Sequence, residues 1–177
     1  MQERYLGDSH DFIKYSLLGF IHARLGLRLG VSWYLARTEN VDRPGNNDGE
    51  KRHHLKGNVW RAADPDLFDK IRGFENLSER RLRRVADWGI LPAGTLYHSN
   101  EICSAVRSDW HKGGVASLSE SEIVFLDPDN GFEVPSMTKR TSAKYALYDE
   151  AADYFRAGKA VISIQFARQC DPIARVV

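Results

Sequence analysis

Ile123-Val124-Phe125-Leu126 is an unbroken apolar, partly β-branched run that stops abruptly on Asp127-Pro128-Asp129-Asn130-Gly131-Phe132-Glu133. Such a run reads as a strand buried on both faces, and strands of that kind belong to parallel sheets covered by helices. In open α/β sheets ligands bind outside the carboxyl ends of the strands, so polar residues fixed directly after a buried strand are well placed for chemistry. Asp, Pro, Asn and Gly are also ordinary turn residues. A turn needs one or two of them, and their concentration behind so apolar a strand favours a site.

Other patterns set that strand in a series. Residues 29–35 and 95–98 read as strands, and residues 159–166 as a second buried strand that again closes on polar residues, Gln165 and Arg168. Between them lie helical patterns. Phe12, Ile13, Leu17, Phe20 and Ile21 recur at helical spacing behind Asp8 or Ser9, either a natural N-cap. Asp64-Pro65 starts a helix running to about Gly73. Residues 78–88 have an inner face of Leu82, Val85 and Ala86, and Ser99 or Asn100 opens a helix through Trp110 closed by Gly113-Gly114. Ala146, Leu147, Ala151, Tyr154 and Phe155 mark a helix over residues 142–157. Strands alternating with helices indicate βαβ units, so the expected fold is α/β with a mostly parallel central sheet, in one domain over residues 1–177.

Composition excludes several classes. With 42% apolar and 28% charged residues the chain is of the globular type, and no apolar run approaches the roughly 18 residues that span a bilayer. Met1-Gln2-Glu3-Arg4-Tyr5 lacks the basic-then-apolar order of a secretory signal, so the expectation is a cytoplasmic protein with no membrane partner. Cys103 and Cys170 have no partner at metal-ligand spacing, which argues against a disulfide framework or zinc cluster. A net charge of +1 neither demands nor excludes nucleic acid, and any such surface has to be a local patch. The arginines of residues 80–84 are one candidate, and a solvated face balanced by Glu79 and Asp87 explains them equally well.

Two other segments concentrate polar chemistry. Asp8, His10, Asp11 and Lys14 cluster at the start of the first helix, His10 and Lys14 one turn apart, where an anion or ligand carboxylate can be gripped. Residues 38–54 form a polar stretch too long for an ordinary connection, and its Asn46, Asn47, Asp48, Glu50, Lys51, Arg52 and His53 include every side-chain type needed to bind phosphate and metal. Because the Asn46–His54 loop, the Asp127–Glu133 loop and the Gln165–Arg168 corner each follow a strand, all three are expected on one edge of the sheet.

With those residues in view the chain resembles a known group. Gly7-Asp8-Ser9-His10-Asp11-Phe12-Ile13-Lys14-Tyr15 is similar to the Gly-Asn-x-x-Asp-x-x-Lys-His opening of the ribosomal RNA adenine-N6 methyltransferases. Leu126-Asp127-Pro128-Asp129-Asn130-Gly131 sits where those enzymes, and the three-Cys-motif partner proteins, carry Asp-Pro-Pro-Tyr or Asp-Pro-x-Gly. The resemblance implies a Rossmann-like three-layer sandwich, S-adenosylmethionine as cofactor and a nucleic-acid or nucleotide substrate. It places Lys14 near cofactor or substrate, with Asp127 accepting hydrogen bonds from the target amino group. Two features depart from that group. Trp33-Tyr34-Leu35-Ala36-Arg37-Thr38 holds no glycine-rich cofactor turn, and Asn130 stands where an aromatic would stack on a flipped base, Phe132 being the nearest substitute.

A second expectation uses no methyl donor. Asp127 and Asp129, with Asp48, Glu50 or His53, offer oxygen-rich ligands for Mg²⁺ or Mn²⁺, and Lys51, Arg52 or Lys14 would neutralise a phosphate, as in a nuclease or phosphodiesterase. Alternate residues of an extended segment point to opposite sides, so Asp127 and Asp129 share a metal only if the turn at Pro128 redirects one of them. A third is a domain that binds a nucleotide or partner protein without chemistry.

Overall fold

The structure, a computed structural model, describes residues 1–42, 50–56 and 58–166. Its strands are β1 (Leu29–Ser32), β2 (Leu96–His98), β3 (Ile123–Leu126) and β4 (Ala160–Ser163). Its helices are α1 (Ser9–Leu25), α2 (Thr38–Val41), α3 (Val59–Ala63), α4 (Pro65–Arg72), α5 (Arg83–Asp87), α6 (Arg107–Ser117) and α7 (Tyr148–Arg156), with short 3-10 turns between. The strands form one parallel sheet in the order β2-β1-β3-β4, flanked by helices, so the expected α/β class holds and is consistent with a Rossmann-like sandwich. The chain groups into two compact units, one of Met1, Gly30–Arg43 and Leu96–Val177, the other of Gln2–Leu29 and Pro44–Thr95.

The first unit holds the sheet. β1 and β3 are buried at every position, as their apolar sequences require, and α6 packs on β2 while α7 packs on β4. Val124 and Leu126 of β3 join Tyr34, Val41, Ile102, Trp110, Leu118, Ala146 and Tyr154 in one core. Ile123 pairs with Ala160 and Leu126 with Ser163, and the buried Lys159 ammonium fixes the entry to this pair by donating to the Ser119 and Ser121 carbonyls at 2.7 Å.

Several helix and strand limits differ from expectation, each for a local reason. The strand expected over 29–35 breaks after Ser32, where Tyr34 adopts φ +47, and resumes only as a bridge from Leu35 to Glu101. That bridge holds Glu101 extended, so the helix expected from Ser99 or Asn100 begins at Arg107 instead and runs through Gly113-Gly114. Gly114 is a packing residue there: a Cβ would stand 2.7 Å from His98 Nδ1 and 2.8 Å from the Tyr154 hydroxyl. Residues 142–157 are not one helix, because Ala146 is drawn into a bridge with Phe132 and only Tyr148–Arg156 stays helical. In α7 Tyr154 points inward while Phe155 is 72% exposed.

The second unit is helical. Asp8 caps α1 by accepting the His10 and Asp11 amides at 2.8 and 3.0 Å, and Asp64 caps α4 through the Leu67 amide, with Pro65 at its first position. α4 packs on α1 and α3, and the Phe12 ring meets Trp60 and Phe68 edge-on. The face α1 buries is Phe12, Tyr15 and Leu18, with Ser9, Asp11 and Lys14, whereas Ile13, Leu17 and Phe20, expected inside, are exposed. The polar residues at its start set that rotation, since Asp11 and Lys14 are buried as a pair. The helix expected over 78–88 is a 3-10 turn, Leu77–Glu79, followed by the short α5. Arg80 turns inward between them and donates to the Phe74 carbonyl at 3.0 Å and to the Arg4 carbonyl.

Candidate functional site

The order β2-β1-β3-β4 reverses direction at β1: the chain lays β2 on one side of β1 and β3 on the other. The carboxyl ends of β1 and β3 therefore flank the sheet's switch point, where open α/β sheets bind ligands. Asp127 sits there, its amide donating to the Ser32 carbonyl at 3.0 Å and its residue 2% exposed. Asp129 follows Pro128 and ion-pairs with the amino group of Met1 at 3.2 Å. Asn130 is buried, and its amide donates to the Lys144 carbonyl at 2.8 Å. Gly131 takes φ +82, which turns the chain so that Phe132 can bridge to Ala146.

Gln165 reaches the same turn from the end of β4, its Oε1 accepting the Phe132 amide at 2.8 Å. Phe132 stacks on Tyr148 at 4.8 Å between centroids and 7° between planes, and Tyr148 is half exposed. The structure thus gathers Asp127, Asp129, Asn130, Phe132 and Gln165. Asn46, Asn47, Asp48 and Arg168 lie outside the described residues.

The remaining candidates belong to the helical unit and hold one another. Lys14 Nζ meets Asp11 Oδ1 at 2.6 Å, and Asp11 Oδ2 accepts the Gly7 amide at 2.8 Å. Burial pushes the Asp11 carboxyl up, against the pull of Lys14. His10 Nδ1 lies 3.2 Å from Asp8, and the Lys51 carbonyl accepts the Ser9 amide at 2.6 Å. The first amides of α1 are therefore engaged by the chain itself. Arg52 donates to Glu50 at 2.5 Å and to the Leu6 and Gly7 carbonyls at 3.1 Å, and Glu50 also pairs with Arg80 at 3.0 Å. Arg52 and Glu50 are spent on holding the loop to the start of α1. Lys51 and His53 stay exposed, the His53 ring against Trp60 at 5.6 Å.

Sequence reasoning missed a network behind the switch point. Arg107 forks onto Glu150 at 2.6 and 2.8 Å and donates to the Ser142 and Tyr145 carbonyls at 2.7 Å. The Tyr34 hydroxyl donates to Glu150 at 2.9 Å, and burial followed by the nearby carboxylate pushes that phenol far up. A signal was present: Glu150 falls at helical spacing from Leu147 and Tyr154, and a carboxylate on an apolar face needs a buried partner. His98 and His54, which the sequence alone suggests are ordinary surface histidines, are instead buried. Both ring nitrogens of His98 are unpartnered among the described residues, and burial lowers its pKa.

S-adenosylmethionine, which the resemblance implies, needs close approach to the backbone after β1. There Trp33 and Tyr34 are buried, the Tyr34 carbonyl accepts the Met1 amino group at 2.8 Å, and the Ala36 amide donates to the Met1 carbonyl at 3.0 Å. These residues do not fit a cofactor that requires bare backbone at that turn. For a divalent cation, no cluster of three or more His, Cys, Asp or Glu occurs among the described residues. No helix among them is long and apolar enough to cross a membrane. Comparison with protein-family models, curated proteins and solved structures gives no match.

Proposed function

We propose that the carboxyl edge of the β1–β3 pair is a binding and reaction centre for a nucleotide or a nucleic-acid base, with Asp127 receiving the base's exocyclic amino group. The observation that carries this reading is the seat of Asp127 at the strand-order reversal, its amide on the Ser32 carbonyl. An ionised carboxylate only accepts hydrogen bonds, so it selects an amino edge over a keto edge. Asn130, three residues on, carries both a donor and an acceptor and suits a base edge that presents both. The stacked Phe132–Tyr148 pair offers an aromatic face, and such stacking is worth about 1–3 kcal/mol per base. Methylation of that amino group is the reaction the resemblance implies, against which stands the filled turn after β1, where Trp33 and Tyr34 are buried.

Calorimetry with adenosine and cytidine monophosphates and with a single-stranded oligonucleotide tests the reading. Binding is expected, and Asp127→Asn should weaken it about tenfold in protein that circular dichroism shows to be folded. No heat with any of these ligands overturns it. Heat with S-adenosylmethionine would support methyl transfer, and a stabilising shift with Mn²⁺ alone would favour the phosphodiesterase alternative instead.

A further inference from the structure

Away from the Asp127 turn, the sheet-bearing unit carries a cleft of about 580 Å³, a volume typical of small-molecule sites. Its lining is mostly apolar, with Val41, Ile102 and Ala143 of the core at its floor. Four charged residues stand around it: Arg37, Glu101, Lys139 and Arg140. Both Glu101 oxygens are already engaged, one by Arg37 Nε at 2.7 Å and the other by Asn40 Nδ2 at 3.3 Å. Two positive charges are left over. Lys139 has no side-chain partner among the described residues, and Arg140 spends one nitrogen on the Asp42 carbonyl at 2.7 Å. The segment bearing them is braced, because Ser142 Oγ donates to the Lys139 carbonyl and meets Ser104 Oγ, both at 2.9 Å.

An apolar floor beneath a surplus of cations on a braced loop is complementary to one class of ligand. We propose that this cleft binds a small organic anion, its apolar body against Val41, Ile102 and Ala143 and its carboxylate or phosphate head held by Lys139 and Arg140. The proposal goes beyond the nucleotide centre and does not depend on it. Cys103, an exposed thiol on the cleft wall, reports occupancy.

The test is the rate of Cys103 alkylation by iodoacetamide, resolved from Cys170 by peptide mass spectrometry at constant ionic strength. Benzoate and phenyl phosphate are the probes, and benzyl alcohol and inorganic phosphate supply body and head alone. One or both organic anions should slow Cys103 several-fold at millimolar concentration, identifying the preferred head, and each part alone should do less. Lys139→Ala combined with Arg140→Ala, both at exposed positions, should raise the concentration needed about tenfold in protein that stays folded, its melting temperature lowered by no more than the loss of the one Arg140–Asp42 bond. Protection must persist in Asp127→Asn, which separates this site from the nucleotide centre. The proposal fails if neither organic anion protects, if benzyl alcohol protects as well as they do, or if the double variant is protected equally.

Discussion

Tyr34 holds its backbone at φ +47, a conformation that costs a non-glycine residue about 1–2 kcal/mol. Its side chain offsets that cost by packing edge-on against Trp110 at 4.9 Å and bonding to Glu150. Tyr34→Phe should therefore lose about 1 kcal/mol of stability in urea unfolding, the value of one hydrogen bond. Arg107→Ala should lose about 3–5 kcal/mol, because it strands a buried carboxylate. Arg107→Lys should recover little of that, since an ammonium cannot span Glu150 and two carbonyls in the plane of the fork. Gly131→Ala combines an unfavourable φ with a Cβ driven into Gln165 Oε1, so a loss of about 1–3 kcal/mol is expected together with weaker nucleotide binding in calorimetry. The acidic turn was legible in the sequence because its residues are consecutive. Of the Arg107–Glu150–Tyr34 network only the carboxylate Glu150 left a mark in the sequence, because the three meet only once α6, α7 and the segment after β1 have packed.

At the scale of elements, the sequence was most legible where periodicity and caps agreed. Asp8 and Asp64 cap the helices expected of them, and Asp8→Ala should cost about 1 kcal/mol in thermal melts. Legibility failed where a distant pairing overrode local propensity. Ala146 sits in a good helical pattern yet is taken by Phe132, and no residue within 142–157 announces that partner. The rotation of α1 shows the same limit: Ile13, Leu17 and Phe20 are as apolar as Phe12, Tyr15 and Leu18, and the burial of Asp11 with Lys14 decides between the two faces. Residues 143–146 also link two places of interest, since Ala143 lines the basic cleft while Lys144 and Ala146 hold the Asn130–Glu133 turn.

At the scale of the whole chain, each unit buries a histidine whose pKa lies below the ordinary 6.5: His98 through burial and then His111, His54 through burial and then Arg52 and His53. The unfolded chain binds these protons first, so both histidines contribute fully above 6.5, and stability falls as pH drops from there through their folded values. Urea midpoints measured from about pH 8 to about pH 5 should decline, and His98→Gln should flatten the decline. Parallel alternation and the buried run of β3 identified the α/β class, whereas β4, expected as a second buried strand, lies at the end of the sheet with Ala160 exposed and Val161, Ile162 and Ser163 only half-buried. Strand order lies in crossovers that leave no local mark. That order governs how the chain matures. Ser32 and Asp127 meet only after β2 and α6 have been made, so a chain emerging from synthesis carries β1 with one open edge until β3 arrives. Pulse-labelled hydrogen exchange during refolding should find the Asp127 amide among the last to gain protection.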